Sequence, residues 1–168
     1  MDRRRLLLSA AGLLVATPGL VQAASPPAVG VSVLAGKWTY RSFHNRPALV
    51  DGDSQKALRL IFAAAVFTFE INGTSLKGAL DWQGEGLDLL GTIQPANGPV
   101  PLSVAIVGSG RPKTDTDGWE YDYRADLASE WPNGVGQVPA LVGTVIRAKP
   151  HEGGPAGYVA SFIAVKQT

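Results

Sequence analysis

Phe67-Thr68-Phe69-Glu70-Ile71-Asn72-Gly73-Thr74-Ser75-Leu76-Lys77-Gly78-Ala79-Leu80 holds a chain reversal between two runs of β-forming residues. Asn72-Gly73 supplies the turn, because a two-residue type I′ hairpin needs φ > 0 at both central positions and these residues tolerate it. Outward from this hairpin the pattern repeats at intervals of about 10 to 15 residues: a β-type run, then a cluster of Gly, Asn, Asp or Pro. The runs fall near 35–43, 57–63, 65–71, 75–82, 86–94, 101–109, 118–127, 140–148 and 156–166. Gln83-Gly84-Glu85-Gly86, Ala96-Asn97-Gly98-Pro99, Asp117-Gly118 and Gly153-Gly154-Pro155 punctuate them.

One stretch competes with this grammar. Asp53 to Phe62 opens with a Ser or Asp cap but ends β-rich, so a short helical turn near 53–58 contends with a strand at 57–63. Eight or nine sequential antiparallel strands must hide their edges, and closure into an up-and-down barrel does so. Short hairpins favour that closure over a sandwich, which needs long crossovers. The expected fold is therefore all-β: one up-and-down antiparallel barrel of about eight strands over 34–168.

Composition narrows the chemistry. The 168 residues contain no Cys, which removes disulfides, thiolate metal sites and thiol catalysis. With 45% hydrophobic residues and a net charge of +1 the chain is not of the disordered type. Residues 1–23 read as an export signal peptide: Arg3-Arg4-Arg5, an apolar stretch from Leu6, and Val21-Gln22-Ala23 as a cleavage site. Gly12, Pro18 and Gly19 break the apolar stretch, so a stable membrane anchor is not expected. Asp2-Arg3-Arg4-Arg5-Leu6-Leu7 resembles the bacterial twin-arginine export signal, with Asp2 where that pattern has Ser or Thr; the general secretory route is the alternative. Residues 24–33 are expected to be a flexible spacer. Loss of the leader removes three Arg and one Asp from 15 basic and 14 acidic residues, leaving a net charge of −1. The mature chain is expected in the periplasm or secreted. With no basic stripe, nucleic acid is not an expected partner.

Alternation assigns faces. Trp119, Tyr121, Tyr123, Ala125 and Leu127 share one face of the run after Gly118, and Glu120, Asp122, Arg124 and Asp126 share the other. Trp38 and Tyr40 share a face on the first strand; Leu76, Gly78, Leu80 and Trp82 share another. An eight-stranded barrel has room for its own side chains or for one small ligand. Aromatics with polar tips offer apolar area plus a fixed hydrogen-bonding group. The expected ligand-lining residues are Trp38, Tyr40, Trp82, Trp119, Tyr121 and Tyr123, for a small, partly apolar molecule. Equally, these rings can be plain core.

No catalytic constellation stands out. Asp115-Thr116-Asp117-Gly118 with Glu120 offers oxygen ligands but lacks the spacing of a calcium loop and reads as a capped turn. No metal site and no cofactor are expected. His44 and His151 lie at a strand end and in a turn, neither with a carboxylate at a telling spacing. The runs at 140–148 and 156–166 are apolar on both faces, so their outer face calls for cover, either by homo-oligomer formation or by the loop from Ser129 to Val138.

Leu34-Ala35-Gly36-Lys37-Trp38-Thr39 resembles the Gly-x-Trp opening strand of the calycin barrels, which include avidins, lipocalins and fatty-acid-binding proteins. The resemblance implies that Trp38 packs across the closed end of a barrel, covered by a basic residue from a late strand, for which Arg147 is the counterpart. Tyr40 stands where the avidins have a biotin-contacting Asn, so biotin is not carried over. A small-molecule binder is the reading that follows. Its competitors are a cofactor-free isomerase or cyclase of the dirigent or allene-oxide-cyclase kind, and a structural or inhibitory protein whose barrel is simply full.

Overall fold

The computed structural model describes residues 30–47 and 50–168. The stretches expected to be an export signal, 1–23, and the first part of a spacer, 24–29, lie outside the described residues. Eight strands, β1 (Gly36–His44), β2 (Ile61–Asn72), β3 (Ser75–Trp82), β4 (Glu85–Gln94), β5 (Ser103–Gly110), β6 (Glu120–Leu127), β7 (Ala140–Arg147) and β8 (Val159–Lys166), pair in sequence order. β8 pairs back onto β1, from Trp38↔Lys166 to His44↔Ala160, so the sheet is a closed antiparallel barrel. Every edge is thereby paired.

Two expected runs, 57–63 and 65–71, are one element. Ser54–Leu58 forms a short helix, α1, whose Asp53 cap accepts from the backbone N–H of Gln55 (2.8 Å) and Lys56 (3.2 Å). β2 then runs unbroken from Ile61 because nothing between Leu60 and Ile71 can turn the chain. The β2–β3 hairpin sits where expected but its turn is shifted by one residue. Asn72 pairs with Ser75, so Gly73-Thr74 are the central pair. Only Gly73 has positive φ (58°), the pattern of a type II′ turn. The next hairpin does have two positive φ angles, at Gln83 (42°) and Gly84 (90°), closed by Trp82↔Glu85.

One end of the barrel is shut. Val31–Leu34 forms a 3-10 helix inside the stretch expected to be spacer, and Leu34 is fully buried. Apolar Val31, Val33 and Leu34 have the barrel interior to enter, which is why the domain begins earlier than residue 34. Trp38 is fully buried beneath this plug and donates Nε1–H to the Leu34 carbonyl at 2.9 Å. The basic residue over Trp38 is Lys166, 5.8 Å from the ring, with its Nζ donating to the Val33 carbonyl at 2.6 Å. Arg147, expected there, is at the other end of the barrel. Strand direction explains the exchange: β7 runs toward the open end, so its last inward residue cannot reach the floor.

Above the floor, Tyr40, Phe67, Phe69, Tyr123 and Phe162 fill the interior, with centroids as close as 4.8 Å (Tyr40–Phe67) and 5.0 Å (Phe67–Phe69). The inner face of β2 changes size along its length, from Ala63 and Ala65 near the mouth to Phe67 and Phe69 near the floor. The closed half is therefore packed and the open half is not. On the outer surface Val142 and Ile163, cross-strand partners on β7 and β8, are 51% and 39% exposed. The segment Ser129–Val138 does not cover them; it is itself exposed throughout.

Candidate functional site

The open half holds a cavity of about 350 Å³. Ala63 and Ala65 on the inner face of β2 keep it open, since bulkier side chains there would fill the space beside Tyr40 and Leu80 on the neighbouring strands. Leu80, Leu87, Val145 and Phe62 add apolar wall. Of the six residues expected to line a ligand site, the structure brings five together here: Tyr40, Trp82, Trp119, Tyr121 and Tyr123. Trp38 is not among them; it belongs to the floor, under Leu34 and Lys166.

The rim is built by three stacked rings. Trp82, at the end of β3, and Trp119, just before β6, lie 6.3 Å apart at 21°. Trp119 and His151 stack more closely, at 4.1 Å and 14°. His151 comes from the β7–β8 loop, whose bend is closed by reciprocal backbone hydrogen bonds between His151 and Gly154. Its Nδ1 lies 3.0 Å from the Lys149 carbonyl, which can only accept, so Nδ1 carries the proton. Nε2 then accepts from the Tyr121 hydroxyl at 2.8 Å. Partial burial lowers the imidazole pKa, and Arg147 lowers it further, against the opposing Lys149 carbonyl and Glu152. His151 is thus neutral at pH 7, an acceptor for the phenol.

Deeper in, burial pushes the Tyr40 and Tyr123 phenols well above their usual range, with the neighbouring phenols adding to the effect. Both remain neutral, so the bottom of the cavity offers hydroxyl groups and no charge. The Ser42 hydroxyl follows Tyr40 on the inner face of β1 and pulls its pKa back partway.

The site contains residues that sequence reasoning missed. Phe62 was hidden by the split of β2, and Arg147 by its assignment to the floor. His151 was noted only as a turn residue; no sequence signal joined it to Tyr121, thirty positions away. His44 takes a separate corner, with Nδ1 hydrogen-bonded to the Tyr158 hydroxyl and the Phe62 ring beside both. Partial burial and Arg46 lower its pKa. The acidic turn disperses its groups. Asp117 accepts from the Lys113 backbone N–H, and Glu120 pairs with Lys149 at 2.7 Å. Among the described residues no group of three or more His, Asp or Glu side chains is placed to hold a metal ion.

The arrangement can stack a flat or apolar body against the rim and exchange hydrogen bonds with Tyr121 and with the phenols below. No family model, no curated protein and no solved structure matches this chain.

Proposed function

We propose that this chain is an exported barrel protein that binds one small, partly apolar molecule in the cavity at its open end. The observation that carries this reading is the contrast between the two halves: a barrel shut and packed at one end keeps an aromatic-lined cavity of about 350 Å³ at the other. That volume lies within the range of small-molecule pockets, roughly 300–1,000 Å³. Export rests on the leader at 1–23, and places the protein in the periplasm or outside the cell. The exposed Val142–Ile163 pair supports self-association through the outer faces of β7 and β8.

Intrinsic fluorescence tests the binding site. Of the four Trp, Trp82 and Trp119 line the cavity, Trp38 lies in the floor and Trp131 is exposed on the β6–β7 loop. In a metabolite screen, a true ligand changes the emission of the wild type and leaves that of a Trp82→Phe/Trp119→Phe variant unchanged. Changes that persist in the variant place binding elsewhere and refute the reading.

The Tyr121–His151 hydrogen bond favours a second reading, a cofactor-free isomerase or cyclase. A neutral imidazole that accepts from a phenol in the wall of a cavity is a proton relay in miniature. Binder and enzyme separate on whether a bound compound is recovered unchanged by chromatography and NMR.

A further inference from the structure

The cavity wall contains one cation, Arg147, that makes no ion pair among the described residues. Arg147 is the last residue of β7 and shares the inner face with Leu141 and Val145. Its Nε is buried and has no hydrogen-bond partner. Among the described residues it joins none of the ion pairs, which are Arg111 with Asp81 and Asp88, and Lys149 with Glu120. Its guanidinium packs against Gly154, where a Cβ would overlap Nη1, so the loop has room for this side chain only with glycine there. One acidic side chain, Glu152, lines the same cavity, and it is not within ion-pair distance of Arg147. Glu152 is exposed to solvent on the cavity rim. His151 adds no charge, since burial, together with Arg147, keeps its imidazole neutral at pH 7.

A buried guanidinium N–H left without an acceptor is costly, and such groups in native proteins call for an explanation. Arg147 lines the cavity, and its planar set of donors matches one chemistry above others, the two oxygens of a carboxylate or a related oxyanion. We propose that the cavity takes an amphipathic molecule with a single anionic head, its oxyanion paired with Arg147 and its apolar body against Trp82, Trp119, Leu80 and Val145. This rests on the small-molecule reading above and names the ligand class. The Arg147 charge selects the head group; the stacked rings and the alanine wall select a flat or narrow body.

Calorimetric titration of the full chain with 2-naphthoate and decanoate, each beside its neutral primary amide, tests the assignment. The wild type binds at least one acid about tenfold or more tightly than its amide, because only the acid supplies the missing charge. In Arg147→Gln the preference collapses while affinity for the amide stays the same, and Arg147→Lys keeps part of it. Equal affinity of acid and amide in the wild type overturns the anionic-head proposal and leaves the binding reading standing. A preference that survives in folded Arg147→Gln also overturns it, since the anchor is then another group. If neither acids nor amides bind, both readings fall together.

Discussion

Replacing Trp38 by Phe and, separately, Trp82 by Phe distinguishes a floor residue from a mouth residue by its energetics. Trp38 is fully buried, and its Nε1–H is the partner given to the Leu34 carbonyl. Phe leaves that carbonyl without a donor inside the plug, at a cost of about 1–3 kcal/mol. The smaller ring also leaves a gap in a close-packed floor, and a void of one or two methylene equivalents costs about 1 kcal/mol. Loss of the indole face beneath Lys166 Nζ, now 5.8 Å from the ring, removes about 0.5 kcal/mol more. The total is roughly 3 kcal/mol, which at a urea m-value of about 2 kcal/mol per molar lowers the midpoint by about 1.5 M. Trp82 is half-buried against an open cavity, so Trp82→Phe costs under about 1 kcal/mol. Ligand affinity shows the reverse order: it changes in Trp82→Phe and holds in Trp38→Phe at urea concentrations where both are folded. Equal midpoint shifts for the two variants, or a larger one for Trp82, would refute the division of the barrel into a structural floor and a binding mouth.

Other consequences are equally direct. Gln83 has φ of 42° in the β3–β4 turn, and Asn adopts that region more readily, so Gln83→Asn raises stability by about 0.5 kcal/mol in urea titrations. His44 and His151 have folded-state pKa values below 6.5, so the unfolded chain binds more protons as pH falls through that value. Their contribution is complete above pH 6.5 and is lost as the pH drops toward the folded-state values. Melting temperatures measured between pH 7.5 and 5 fall for the wild type and fall less for a His44→Gln/His151→Gln variant. Light scattering at micromolar concentration shows a dimer or larger species, and Val142→Lys with Ile163→Glu converts it to monomer. A wild type that is monomeric throughout contradicts self-association through β7 and β8.

The architecture was legible because hairpin turns leave local marks. The Gly, Asn and Pro clusters separate seven of the eight strands, and period-two alternation placed Tyr121, Tyr123 and Ala125 inside. Where the local code failed, the cause was physical. Ala63-Ala64-Ala65 has little β character of its own, and β2 passes through it because β1 pairs with all three residues. Asn72-Gly73 suits a type I′ turn in isolation, yet register moved the turn one place so that Phe67 and Phe69 face inward. The site was less legible than the fold. Aromatic alternation located five of its rings, but which end of a barrel is open depends on a plug, Val31–Leu34, with no recognisable motif. Arg147 and Lys166 are both late-strand basic residues, and only strand direction assigns one to the mouth and the other to the floor. The pairing of Tyr121 with His151 depends on how the β7–β8 loop folds back over the rim, which no spacing rule encodes.

In the function proposed for this chain, the ligand sits in the open-end cavity. Ala65 lines that cavity beside its β1 partner Tyr40, and a phenyl group in its place takes up cavity space. The measurement is calorimetric titration of the wild type and Ala65→Phe with a compound that binds the wild type, both proteins shown folded by thermal melting. Occupancy of the cavity predicts one equivalent bound by the wild type and at least a tenfold loss of affinity in Ala65→Phe. Undiminished binding by the folded Ala65→Phe chain would contradict it.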